Sequence, residues 1–163
     1  MNFYADYIRN KLSSVIENME HQSERFVKNP GHDFTRNRKM NFISTINFLL
    51  TMEGGSIGTE LHKYFHYDLN HITRSGFIRQ RNKLHSNAME YLFHEFHEKI
   101  PCSKTYQEYQ LLACDGSDLN IFRDSKNSST HFAGKEGSFG FNQLHLNALY
   151  DLLNRRYVDA LIQ

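Results

Sequence analysis

The sequence has little cysteine: Cys102 and Cys114 are the only two in 163 residues. Two are too few for a disulfide scaffold, and they lack the paired spacing of a thiolate zinc site, so a reducing cytoplasm is the expected setting. Long apolar runs are missing as well. Nowhere do about 18 apolar residues follow one another, and the opening MNFYADYIRNKLSS has no apolar stretch behind a basic start. Neither a membrane span nor a signal peptide is expected. The hydrophobic share is only 39% and the mean hydropathy −0.63. A disordered polar chain would nevertheless lack the 13 Phe and 9 Tyr found here, so the chain is expected to fold. Its length suits one compact domain or two small ones and excludes a large multidomain enzyme. There is no internal repeat.

Excess charge is also small, +1 overall, but it is unevenly placed. Residues 1–24 hold 2 basic and 4 acidic side chains, residues 25–85 hold 10 and 4, and residues 86–163 hold 7 and 10. The positive field therefore belongs to the middle third.

Apolar residues at Tyr4, Ile8, Leu12, Val15, Ile16 and Met19 recur in steps of three and four, which predicts a helix from Phe3 to about Lys28. Asn29-Pro30-Gly31 ends it. Asp33 and Thr35 offer capping oxygens to a second helix whose face runs through Met40, Ile43, Ile46 or Asn47, and Leu50, closed by Glu53-Gly54-Gly55. Ser56 can cap a third, with Ile57, Leu61 and Phe65. Thr73 opens a longer one through Phe77, Leu84, Ala88, Leu92, Phe93 and Phe96, halted by Pro101. The succession is helix-turn-helix-like. Beyond Pro101 the period changes. Tyr109 to Cys114 reads as a short strand ending in Asp115-Gly116-Ser117, a turn or the start of a loop, and Asp124 to Ser138 as a loop. Leu144 to Tyr150 and Tyr157 to Ile162 read as a hairpin around the polar turn Asp151 to Arg155. The fold class is thus α+β, with a helical region at 1–101 and a strand-rich region at 102–163.

Several residues invite a chemical reading. Arg36, Arg38 and Lys39 stand beside one helix start, and Arg74, Arg79, Arg81 and Lys83 decorate a later helix, with acids sparse around them. They form either a solvated surface or a site for DNA phosphates, and the concentration of positive charge on a helical region favours DNA. His62 and His66, and His94 and His97 beside Glu90 and Glu98, have helical metal-pair spacings. HKYFH lacks a metalloprotease glutamate and a third ligand, so these histidines are read as surface or half-buried side chains. Cys114 is read as a small buried side chain. Asp115 alone is an ordinary Asp-Gly turn residue.

Three blocks change the weight on Asp115. DFTRNRKMNF at 33–42, LLACDGSDLNI at 111–121 and LHLNALYDLLNRRYVDALIQ at 144–163 together resemble the N-terminal part of transposases of bacterial insertion sequences, the insertion-sequence-four group of the DDE superfamily. The resemblance implies a helical region that binds the double-stranded DNA of transposon ends, with other transposase copies as partners. It also implies the first three strands of an RNase H-like domain in which three carboxylates hold two Mg²⁺ ions for DNA cleavage and rejoining. Asp115 matches the first carboxylate, both catalytic and metal-binding. The other two belong to later motifs, and none of Asp118, Asp124, Glu136, Asp151 and Asp159 matches them, so the resemblance implies a fragment with an incomplete site. The alternative is a non-enzymatic helical module that binds DNA or protein, such as a truncated regulator of transposition. The expected sheet would carry an apolar first-strand edge and uncovered faces, leaving residues 109–163 disordered or prone to association.

Overall fold

The computed structural model describes residues 3–36, 38–135 and 139–163. These form five α-helices and a four-stranded antiparallel sheet, an α+β composition. The chain divides into two compact units, Met1–Ile100 and Pro101–Gln163. Glu136 and Ser138 lie outside the described residues.

The first unit is helical. α1 (Phe3–His21) buries Val15, Ile16 and Met19, the C-terminal part of the face predicted from spacing, and a 3₁₀ turn (Ser23–Arg25) follows it. α2 (Phe42–Thr51) is capped by Asn41, whose side chain accepts from Ser44 N–H at 2.8 Å. The predicted caps Asp33 and Thr35 do other work: Asp33 accepts from Asn29 and Thr35 donates to the His32 carbonyl. α3 (Ile57–Tyr64) and α4 (Arg74–Arg81) start as the sequence suggested, with Ser56 and Thr73 accepting from the N–H groups three residues on. Each such cap satisfies a donor that the first helical turn leaves open.

The long helix predicted from Thr73 to Phe96 is two helices, α4 and α5 (Asn87–Glu98). Between them the chain runs alongside residues 26–28. Lys28 N–H donates to the Lys83 carbonyl and His85 N–H to the Phe26 carbonyl, both at 2.8 Å, around a Val27–Leu84 bridge. Leu84 is buried by this detour, so the helix is broken by tertiary pairing that local periodicity does not report.

Two apolar clusters hold the unit. Val15, Ile16, Met19, Phe26, Val27, Phe42, Ile46, Leu84, Ala88 and Leu92 form one; Met40, Phe48, Leu61 and Phe77 form the other. α2 serves both, which is why its buried positions are Phe42, Thr45, Ile46 and Phe48 and why Leu50, expected inside, is 42% exposed.

The second unit is the sheet: β1 (Leu112–Ile121), β2 (His131–Phe132), β3 (Phe141–Asp151) and β4 (Arg156–Ile162). β3 is central, pairing antiparallel with β1 from Leu112↔Asp151 to Ile121↔Asn142, and on its other side with β2 and β4. Two details differ from the sequence reading. β1 continues straight through Asp115-Gly116-Ser117, because each of these residues has a register partner on β3, so no turn forms there. The loop after it contains the two-residue strand β2. Among the described residues after Pro101, the buried ones are Thr130, Asn142 and Asp151, all polar.

These polar residues tie the connections down. The Asp151 carboxylate accepts from Leu153 and Asn154 N–H, from Asn154 Nδ2 at 2.8 Å and from Gln110 Nε2 at 2.6 Å. The Asn154 amide exchanges two bonds with the Lys104 backbone. The approach segment and the hairpin turn are thereby joined. With this many donors on its charged form, led by the Asn154 N–H and the Gln110 amide, the Asp151 carboxyl is held far below the usual carboxylate range.

Candidate nucleic-acid interface and the Asp115 strand

A single buried bond positions the basic site. Gln80, on α4, donates Nε2–H to the Met40 carbonyl at 2.9 Å and draws the segment before α2 against α4. Between them lies a cleft of about 670 Å³ lined by Arg38, Lys39, Ile72, Gly76, Arg79, Gln80 and Lys83. A smaller hollow of about 290 Å³ adjoins it, sharing Arg38, Gln80 and Lys83 and adding Arg36 and Thr35. Among the described residues, no carboxylate lines either.

Of the seven basic residues singled out in the sequence, the fold brings five together: Arg36, Arg38, Lys39, Arg79 and Lys83. Arg74 and Arg81 are exposed on α4 but do not line the cleft. The seven-residue step that relates them places them near one face of the helix, away from Arg79. Lys83, past the end of α4, is turned inward: it stands 3.8 Å from Asp33 and 5.1 Å from the Phe34 ring centroid. Lys39 donates to the Asn70 carbonyl. Arg36, Arg38 and Arg79 are exposed and present their charge to solvent.

Gly76 was not singled out in the sequence, yet it shapes the cleft wall. A Cβ there would come within 2.7 Å of Ile72 Cγ1, so the close approach of α4 to the preceding loop requires glycine. A glycine inside a short helix, at a cost of about 1 kcal/mol against alanine, was the signal available.

Asp115 occupies the fourth position of β1, exposed, opposite Ala148. Its Oδ1 accepts from Gly116 N–H at 2.9 Å. Strand alternation puts Asp118 on the opposite face, where it pairs with His145 Nδ1 at 2.9 Å. Asp124 accepts from Lys126 N–H, Asp159 from Ala160 N–H, and Asp151 is buried in its own hydrogen bonds. Among the described residues, no group of three or more His, Cys, Asp or Glu is placed to hold a metal ion. Cys114, expected inside, is exposed, because the apolar clusters lie wholly in the helical unit.

His62 meets His71, ring nitrogens 3.0 Å apart, with His71 Nδ1 against the Ile72 carbonyl. No helix among the described residues is long and apolar enough to cross a membrane. No family model matches the chain, and no curated protein and no solved structure is significantly similar to it.

Proposed function

We propose that the chain is the N-terminal part of a DDE transposase that binds duplex DNA of transposon ends through the cleft beside α4 and contributes Asp115 as the first carboxylate of an RNase H-like site. The observation that carries the reading is the convergence of Arg36, Arg38, Lys39, Arg79 and Lys83, from two separate segments, on a cleft where the nearby Asp33 meets Lys83 alone of the five at ion-pair distance among the described residues. Cations gathered in this way release condensed counterions when they meet phosphates, which is the main source of sequence-independent affinity.

The three sequence blocks add support because each coincides with a distinct feature. The first, residues 33–42, lines the basic cleft and leads into α2; the second is β1; the third is the β3–β4 hairpin. The antiparallel β1–β3–β4 meander agrees with the expected start of an RNase H-like domain, and Asp115 projects from its first strand.

Mg²⁺ retains its waters unless several oxygen ligands converge. The described residues do not meet that condition around Asp115. What this chain's own groups do is bind and orient phosphates.

A gel-shift titration of duplex DNA against salt tests the reading. Binding should weaken steeply with salt, and replacing Arg36, Arg38, Lys39 and Arg79 with glutamine should remove most of it. Equal affinity of wild type and quadruple variant at low salt would sink the assignment.

A further inference from the structure

The loop end of the sheet carries a second, chemically different surface. Four phenylalanines stand exposed within twenty residues: Phe122 at 94%, Phe139 at 84%, Phe132 at 50% and Phe141 at 49%. Phe132 and Phe141 are register partners across β2 and β3, and their rings lie nearly parallel, 17° apart with centroids 5.4 Å apart. The Arg123 guanidinium sits 5.0 Å from the Phe139 centroid.

This surface is built on a fixed base. Asn142, 1% exposed, accepts from Asp124 N–H at 2.8 Å and donates to the Asp124 carbonyl and Thr130 Oγ1, both at 2.9 Å. Its Oδ1 also lies 3.1 Å from His131 Nδ1. One buried amide thus holds both ends of the Asp124–His131 segment, which Arg123 and Phe132 adjoin. Gly140 brings Phe139 and Phe141 close to β2, since a Cβ there would fall 2.4 Å from the Phe132 carbonyl oxygen.

Charge selects the occupant. Residues 122–141 hold Arg123, Lys126 and Lys135 against Asp124 and Glu136, and the Oδ1 of Asp124 is engaged by Lys126 N–H. An apolar protein partner would have to strip water from these cations without return, whereas a polyanion pairs with them. Exposed aromatic faces interleaved with cations match unpaired nucleobases, which stack on rings while their phosphates meet Lys and Arg. In a duplex those base faces are already stacked on each other.

We infer that Phe132 and Phe141, flanked by Phe122, Phe139 and the cations Arg123, Lys126 and Lys135, form a stacking platform for single-stranded nucleic acid. The platform lies entirely within the Pro101–Gln163 unit and does not rest on the duplex-binding reading.

Fluorescence anisotropy of the full chain with labelled oligothymidine and oligouridine of about 15 nucleotides tests it, the two arms separating DNA from RNA. The measurement is made in wild type and in an Arg38→Gln/Arg79→Gln background, which weakens binding through the helical cleft. Single strands should bind in both backgrounds. Phe132→Leu/Phe141→Leu keeps apolar bulk but loses the aromatic faces and should weaken binding about tenfold or more, in line with one to two lost stacking contacts. Phe132→Tyr/Phe141→Tyr, which restores the faces, should recover it. An oligonucleotide carrying 5-iodouracil should photocrosslink within residues 122–141. Absence of single-strand binding in the Arg38→Gln/Arg79→Gln background, or equal affinity of the leucine and wild-type chains, would overturn the proposal. So would self-association that the leucine variant retains and Phe132→Asp/Phe141→Asp abolishes, which would make the patch a protein contact.

Discussion

Gln80 reaches from α4 to the backbone of Met40, donating its side-chain amide to that carbonyl at 2.9 Å, with both residues buried. The bond joins residues forty positions apart and sets the width of the basic cleft. Gln80→Leu keeps similar volume but leaves the Met40 carbonyl without this donor. A loss of about 1–3 kcal/mol is expected for an orphaned buried polar group. Urea denaturation followed by circular dichroism should show a lower midpoint with an unchanged slope.

Gly76 and Gly58 offer a matched pair. Both lie in short helices, but a Cβ at Gly58 would meet nothing nearer than Ser56 Oγ at 3.8 Å, whereas at Gly76 it meets Ile72 at 2.7 Å. Gly58→Ala should stabilise by up to about 1 kcal/mol through helix propensity. Gly76→Ala should lose that gain to the clash and displace the cleft wall. Thermal melts and duplex affinity measured on both variants check this, with only Gly76→Ala expected to weaken binding.

The division of the arginines has a salt signature. Neutralising Arg38 and Arg79, which line the cleft, should lower the slope of log affinity against log salt by about 2, each phosphate contact counting for about 0.9. Arg74→Gln/Arg81→Gln should change it less. Equal changes in the two double variants would show that the cleft does not define the footprint.

Asp151 gives the sheet an acid limit. Its folded carboxyl titrates far below an unfolded aspartate, whose value is about 3.9. The unfolded state therefore binds the proton first, so the contribution is present in full above about pH 4 and is lost as pH falls towards the folded value. Asp151→Asn presents an amide to donors arranged for a carboxylate. Its deficit relative to wild type should be largest near neutrality and shrink below about pH 4, as read by hydrogen exchange at the amides of Leu153 and Asn154.

Nicking of transposon-end DNA should be absent from this chain with Mg²⁺ or Mn²⁺, because Asp115 has no group of metal ligands around it among the described residues. Cleavage that Asp115→Ala abolishes would overturn the incomplete-site reading.

What the sequence made legible was local. Ser56 and Thr73 cap as their positions before apolar spacing suggested, and Val15, Ile16 and Met19 mark the buried face of α1. The misses share a cause in tertiary pairing. Leu84 lies on the extrapolated helical face but is buried through a bridge to Val27, and Asp115-Gly116-Ser117 has turn composition but is held extended by β3. At the basic site the residue types were evident, and helical spacing sets Arg79 apart from Arg74 and Arg81, yet the meeting of Arg79 with Arg38 depends on the long-range approach marked by the Gln80–Met40 bond. Phe132 lies in the segment read as loop and Phe122, Phe139 and Phe141 lie just outside it, and nothing in their spacing announces that two of them stack.

The polar character of every buried residue among those described in the sheet unit has a calorimetric consequence. Exposure of apolar surface raises the heat capacity of an unfolding chain, while exposure of polar surface lowers it. The helical unit, with Phe26, Phe42, Phe48 and Phe77 sealed inside, should melt with the ordinary increment of about 12–15 cal/mol/K per residue. The sheet, whose interior is Thr130, Asn142 and Asp151, should fall below that value. Its stability curve would then be the flatter of the two, so that cooling weakens the helices while leaving the hydrogen-bonded hairpin comparatively untouched.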